Sequence, residues 1–198
     1  MATRRFKATG RSHNTIRLIA GEWRGRRLNV LDKPGLRPTT DRVRETVFNW
    51  LASRIEGARC LDLFAGTGAL GLECLSRGAG FVQFVEYDRE VGRVLEQNLQ
   101  RLQAGSRSHC WVGQGEQYLH GKGPTLGSFD IVFLDPPYAD DSLSQIIQQI
   151  DESGMLADGA VVYIESDSQQ STPWVPQHWQ LHRGKIAGQA RYELYTLS

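Results

Sequence analysis

Two short segments of this chain combine residue types that suit chemistry on a bound ligand. The first is Asp135-Pro136-Pro137-Tyr138, which ends the apolar run FDIVFLD at residues 129–135. Proline cannot donate to a sheet ladder, so two of them close a buried strand with a rigid, extended turn. Such a turn leaves the Asp135 carboxylate and the Pro136 carbonyl as two outward acceptors beside the flat ring of Tyr138. That set suits a planar exocyclic amine. The NH2 group donates to both acceptors while the base stacks on the ring, and the nitrogen lone pair is turned toward an electrophile. The plainer alternative is a stiff turn with a satisfied aspartate and a surface tyrosine.

The second segment is Leu61-Asp62-Leu63-Phe64-Ala65-Gly66-Thr67-Gly68-Ala69-Leu70-Gly71. Gly66 and Gly68 permit a tight turn and close approach of a ligand to the backbone. The pattern Gly66-x-Gly68-x-x-Gly71 matches a dinucleotide fingerprint, and Glu86 follows Gly66 by 20 residues, placed to accept both hydroxyls of a ribose. A ribose of that kind occurs in NAD and in S-adenosylmethionine, so both readings stand at this point. Asp62 favours the second: NAD carries an anionic pyrophosphate, whereas an ammonium and a sulfonium favour a nearby acid. Asp62 could also serve the loop alone, by accepting from its amides.

The elements that must position these segments alternate along the chain. The run IRLIAGEWRGRRLNV (16–30) reads as two short strands about a turn between Gly21 and Gly25. Apolar spacing predicts a helix over 41–55, with Asp41 as its N-cap and Arg42, Arg44 and Glu45 away from the core. Strands are expected at 60–64, 81–86, 109–112, 129–135 and 160–166. Helices are expected from the glycine turn to about 77, after Asp88, near 115–120 and over 142–150. The tail reads as two strands joined at Gly188-Gln189. Alternation of this kind implies a parallel sheet with helices on both faces and ligands at the carboxyl ends of its strands.

Charge is divided unevenly. The 198 residues carry 23 Lys+Arg and 22 Asp+Glu, a net +1. Residues 1–50 hold 12 of the basic and 4 of the acidic residues, leaving 11 and 18 for the remainder. Arg4, Arg5, Lys7, Arg11, Arg17, Arg24, Arg26 and Arg27 read as a phosphate-contacting arm, or else as a solvated tail. The stiff loop with Arg37, Thr39 and Thr40, together with Arg42 and Arg44, could face a cofactor, RNA or both. No apolar run is long enough to cross a bilayer and no secretory signal opens the chain, so no membrane partner is expected. Cys60, Cys74 and Cys110 show no CxxC spacing, which fits a reducing cytoplasm. His178-x-x-x-His182 has metal-ligand spacing only on a helix, and it falls at a strand entry, so no metal is called for.

The succession LDLFAGTG then DPPY resembles the S-adenosylmethionine-dependent methyltransferases that modify amino groups of nucleic-acid bases. More narrowly, GLRPTTDRVRETVFNWL (35–51) resembles the signature of the RsmD family of bacterial 16S ribosomal RNA guanine-N2 methyltransferases. The likeness runs over about residues 16–198. It implies a Rossmann-like α/β fold with a seven-stranded, mostly parallel sheet and an antiparallel C-terminal hairpin. A basic arm (1–15) and a β-hairpin with its loop (16–40) would precede the methyltransferase domain (41–198). Carried over by motif, Asp62, Phe64, Gly66, Thr67 and Gly68 would surround the amino-acid end of the cofactor. Glu86 would hold the ribose, and Gln114 and Gly115 would meet the adenine, although aspartate is commoner at the former place. Asp135, Pro136, Pro137 and Tyr138 would hold the target amine. Arg4, Arg5, Lys7, Arg11, Arg24, Arg26, Arg27, Arg37, Arg42 and Arg44 would meet 16S rRNA, presented in an assembling 30S particle to a monomeric enzyme. The competing functions are methylation of another RNA or DNA base, an NAD-dependent oxidoreductase, and a noncatalytic RNA-binding module.

Overall fold

A computed structural model describes residues 14–33, 36, 39–121, 127–137 and 142–197. Seven strands form one sheet in the order β5-β4-β3-β6-β7-β9-β8. These are β3 (Arg59–Asp62), β4 (Phe81–Glu86), β5 (Ser108–Val112), β6 (Phe129–Leu134), β7 (Leu156–Asp167), β8 (Trp179–Ala187) and β9 (Ala190–Leu197). Strands β3 to β7 run parallel, and β9 returns antiparallel between β7 and β8. The order reverses between β3 and β6, and in an open α/β sheet that crevice is where ligands bind.

Side chains alternate across the sheet and divide the core into two layers. Cys60, Val82, Phe84, Ile131, Phe133, Val161 and Tyr163 face one way, toward helices α1 (Asp41–Trp50), α2 (Ala69–Ser76) and α3 (Arg89–Arg101). Leu61, Val85, Val132, Leu134, Val162 and Ile164 face the other, toward α4 (Gly115–His120) and α5 (Leu143–Glu152). Asp88 caps α3 as its type and position lead one to expect: its Oδ1 accepts from the backbone N–H of Glu90 at 2.8 Å and Val91 at 3.2 Å.

The leading hairpin, β1 (Asn14–Arg17) with β2 (Arg27–Val30), shares the first layer's core through buried Ile16, Leu18, Trp23, Leu28 and Val30. Burial of each side chain contributes about 1.5–3 kcal/mol. Its turn presses on the end of α2. Glu22 N–H donates to the Ser76 carbonyl at 2.6 Å, and a Cβ on Gly21 would fall 1.7 Å from that same oxygen. Only glycine fits there.

Helix α1 departs from the expected 41–55. It ends at Trp50, and tighter turns then deliver Leu51 and Ile55 to the core. Its N-cap is Thr40, whose Oγ1 accepts from Val43 N–H at 3.4 Å, one residue before the expected Asp41. Asp41 instead sits in the first turn and binds Arg44. Arg44 itself is a larger correction. It was expected on the outer face but is 1% exposed. Its Nη2 donates to the Arg17 carbonyl at 2.9 Å and to Asp41 at 2.6 Å, and Nη1 lies 4.0 Å from the fully buried Glu73. Glu73 also accepts from the N–H groups of Ile19 (2.8 Å) and Ala20 (3.0 Å) and from Arg77 Nε (2.8 Å). The Arg44–Glu73 pair thus ties hairpin, α1 and α2 together, and Arg44 is not available to a phosphate.

Candidate functional site

The strand register brings four carboxylates to one face of the sheet at its carboxyl edge. Asp62 pairs with Phe84 on one side and Phe133 on the other, so Glu86 and Asp135 lie two residues further along the same face. Leu134 pairs with Ile164, which sets Glu165 beside Asp135. Helix α1 packs on this face, with Phe48 6.4 Å from Phe133 between ring centroids. The Oγ1 of Thr39, just before its cap, donates to Asp135 Oδ2 at 3.2 Å.

The donors to Asp62, Glu86 and Asp135 among the described residues are neutral. Asp62, 2% exposed, accepts from the Gly71 N–H at 3.0 Å. Burial pushes its carboxyl up to about 7; the Gly71 N–H opposes that rise and the nearby charge of Glu86 adds to it. Glu86, not Asp62, braces the glycine turn: its Oε2 accepts from Gly66 N–H and its Oε1 from Asp88 N–H, both at 2.7 Å. Burial raises its carboxyl too, against those N–H groups. The Asp135 carboxyl is raised well above the usual range by burial first and by the charge of Glu165 second, while Thr39 pulls it down. Among the described residues no Lys or Arg pairs with Asp62, Glu86 or Asp135.

The glycine turn has the geometry its residues imply. Gly66 and Gly68 have φ of +51° and +78°, and a Cβ on Gly68 would come within 2.5 Å of Leu95. Thr67 between them is buried. Leu36 lies over Gly66, 3.2 Å from where its Cβ would be. Lys33 anchors this covering strip to the start of α3, its Nζ 2.6 Å from Asp88 and 2.8 Å from Glu90. Gly115 is buried, and a Cβ there would lie 3.5 Å from the Phe64 ring, so the turn after β3 meets the start of α4. Gln114 is exposed at the rim as the residue before α4. Pro136 and Pro137 line a cleft of about 100 Å³ that Glu165, Gln170 and Pro173 complete.

Asp62, Phe64, Gly66, Thr67, Gly68, Glu86 and Gly115 are therefore gathered at one crevice, with Asp135 and Pro136 adjoining it. Arg24, Arg26, Arg27 and Arg42 are exposed. Arg4, Arg5, Lys7, Arg11, Arg37 and Tyr138 lie outside the described residues. His178 binds Asp151 at 3.0 Å and His182 sits in β8. Cys60 and Cys74 are buried in the core, where burial raises the Cys74 thiol well above its ordinary value. Two residues at the crevice escaped the sequence reading. Tyr87 directly follows Glu86 and is 72% exposed; its signal was an aromatic next to a strand-end acid. Glu165 had no local signal, because only the β6–β7 register sets it beside Asp135.

A sheet in this order, with its glycine turn and acids at the reversal of strand order, defines the Rossmann-like methyltransferase class. Magnesium protoporphyrin IX methyltransferase of Synechocystis, solved with bound S-adenosylmethionine, shares that fold at 16% identity, with a TM-score of 0.60 over 79% of each chain. The solved yhhF protein of Escherichia coli superposes with a TM-score of 0.86 at 46% identity, covering 93% of this chain and 99% of its own. The family described as Conserved hypothetical protein 95 matches residues 16–196. Ribosomal RNA small subunit methyltransferase D of Escherichia coli K12 is 50% identical over 91% of this chain and 89% of its own length. The protein of the same name in Haemophilus influenzae is 41% identical over 94% and 96%. The chain belongs to this family, the small-subunit ribosomal RNA methyltransferases D.

Proposed function

We propose that this chain methylates the exocyclic N2 amine of one guanine in 16S ribosomal RNA, using S-adenosylmethionine. The observation that carries the reading is the convergence of Asp62, Glu86 and Asp135, with no Lys or Arg partner among the described residues, beside a Pro-Pro turn at the switch of strand order. Buried acids without cationic partners are costly, and a positively charged ligand offsets that cost. An anionic pyrophosphate in the same place would raise it, which disfavours the NAD alternative.

The residues present fit S-adenosylmethionine. Asp62 would face its ammonium end across the Gly66–Gly68 turn. Glu86 accepts from the backbone N–H groups of Gly66 and Asp88, and its remaining lone-pair capacity would take ribose hydroxyls. Phe64, Gly115, Gln114 and Tyr87 would receive the adenine. When bound, the cofactor supplies an electrophilic methyl group on a positively charged sulfur. Asp135 and the Pro136 carbonyl would accept from the N2 amine and orient its lone pair; Tyr138 would stack on the extruded base. Methylated N2 becomes acidic, and Asp135 is placed to receive its proton.

Exposed Arg24, Arg26, Arg27 and Arg42 would meet phosphate, joined by the arm residues Arg4, Arg5, Lys7 and Arg11. Five such contacts give a log–log salt slope of about −4 for RNA affinity, which deletion of residues 1–15 would make shallower. An assembling 30S particle would supply the presentation of the base.

Calorimetric titration with S-adenosylmethionine and with NAD tests the cofactor. Transfer of labelled methyl to undermethylated 30S particles and to naked 16S rRNA tests the substrate. Binding of NAD alone would overturn the reading.

A further inference from the structure

We propose that Glu165 selects guanine by accepting a hydrogen bond from N1–H of the target base while Asp135 and the Pro136 carbonyl accept from its N2 amine. The proposal rests on the guanine-N2 reading above and goes on to name how the base is told from others.

Three observations carry it. Glu165 stands beside Asp135 on the adjacent parallel strand, on the same face and at the same level, where backbones run about 4.8 Å apart. It lines the cleft that Pro136 and Pro137 open onto, although it is only 6% exposed. Its Oε2 accepts from the Tyr163 hydroxyl at 2.7 Å, and Tyr163 is wedged against Phe133 at 5.9 Å between ring centroids. Glu165 is thus buried, held by Tyr163, and set beside Asp135 at the edge of the cleft.

Base chemistry decides what this pair accepts. An ionised carboxylate only accepts hydrogen bonds. In guanine one of the two ring nitrogens that flank the N2 amine, N1, carries a hydrogen, so acceptors at Glu165 and Asp135 set side by side find donors on N1 and N2. In adenine and in cytosine the ring nitrogen next to the amine carries a lone pair, which would face the Glu165 carboxylate with no proton between them. Rejection of those bases needs no contact beyond this one.

The test uses 2-aminopurine, which keeps the exocyclic amine of guanine but has a lone pair at N1. The methylated nucleotide is first mapped by mass spectrometry, and 30S particles are then reconstituted with 2-aminopurine at that position. Wild type is expected to lose at least about 100-fold in kcat/KM on the substituted particle, because a buried acceptor meets an acceptor. In Glu165→Gln the amide can turn its NH2 toward N1, so the guanine preference should fall below about tenfold. S-adenosylmethionine affinity and melting temperature should stay as in wild type. Tyr163→Phe, which removes the hydroxyl that Glu165 accepts from, should lower the preference partway and serves as a second variant if the first folds poorly. An unchanged preference in Glu165→Gln, or a wild type that uses both bases equally, overturns the proposal. A wild type that methylates no guanine in normal particles overturns the underlying reading and the proposal with it.

Discussion

Replacing Arg44 with methionine separates a structural arginine from an RNA-binding one. Arg44 lies within 4.0 Å of Glu73, which is fully buried, and donates to the Arg17 carbonyl and to Asp41. Removing one member of a buried ion pair costs about 3–5 kcal/mol, because the other charge stays behind. Glu73 would keep Arg77 at 2.8 Å and two backbone donors, which places the loss near the lower end, about 3 kcal/mol. For a domain of this size each kcal/mol lowers Tm by about 2–4 °C, so Arg44→Met should melt roughly 6–12 °C below wild type. Thermal unfolding followed by circular dichroism reads that shift. Salt dependence of RNA binding, measured below the melting range, should keep its slope. The exposed Arg26 gives the opposite pair of results: Arg26→Ala should leave Tm alone and make the slope shallower by about 0.7–0.9. An Arg44→Met protein with wild-type Tm and a shallower slope would refute the buried role.

Other expectations follow from the crevice. Asp135→Ala should lower kcat by about 10³-fold or more while S-adenosylmethionine binding, read by calorimetry, stays within a few-fold. Folded Asp62 holds its proton up to about pH 7, whereas the unfolded carboxyl loses it near its ordinary 3.8. The folded state therefore binds more protons between those values, and ligand-free stability falls as pH rises from about 4 to 7. Glu86 and Asp135 are shifted in the same direction, so Asp62→Asn should make the pH dependence of the urea midpoint shallower without abolishing it. A dependence as steep as wild type would contradict the role given to Asp62. Tyr87→Ala should weaken S-adenosylmethionine binding roughly tenfold if its exposed ring carries the adenine, and an unchanged Kd would remove it from the site.

What could be read from the sequence was whatever local chemistry punctuates. Glycines at 66 and 68, the prolines at 136 and 137, and the cap at Asp88 announce turns by their own backbone limits, and all fall at strand or helix ends. Strand β4 and helix α4 begin and end where their residues suggested. Strand β7 extends beyond 160–166 because Leu156 already pairs with Phe129 of β6, while Asp158 and Gly159, which look like loop residues, fall in the register shift before Val161. Arg44 was misread for a different reason. Its partner Glu73 is 29 residues away, and nothing near Arg44 reveals that a buried acid awaits it. Thr39 and Glu165 depend likewise on contacts with Asp135 across 96 and 30 residues. Local pattern located the two turns at the crevice; the side chains that contact them come from tertiary register.

The most direct measurement is nucleoside mass spectrometry of 16S rRNA from cells lacking this protein, complemented with wild type or with Asp135→Ala. Loss of one N2-methylguanosine, restored by wild type and not by the variant, is the predicted result. A 16S rRNA with all its N2-methylguanosines intact, or restoration by the variant, would contradict it.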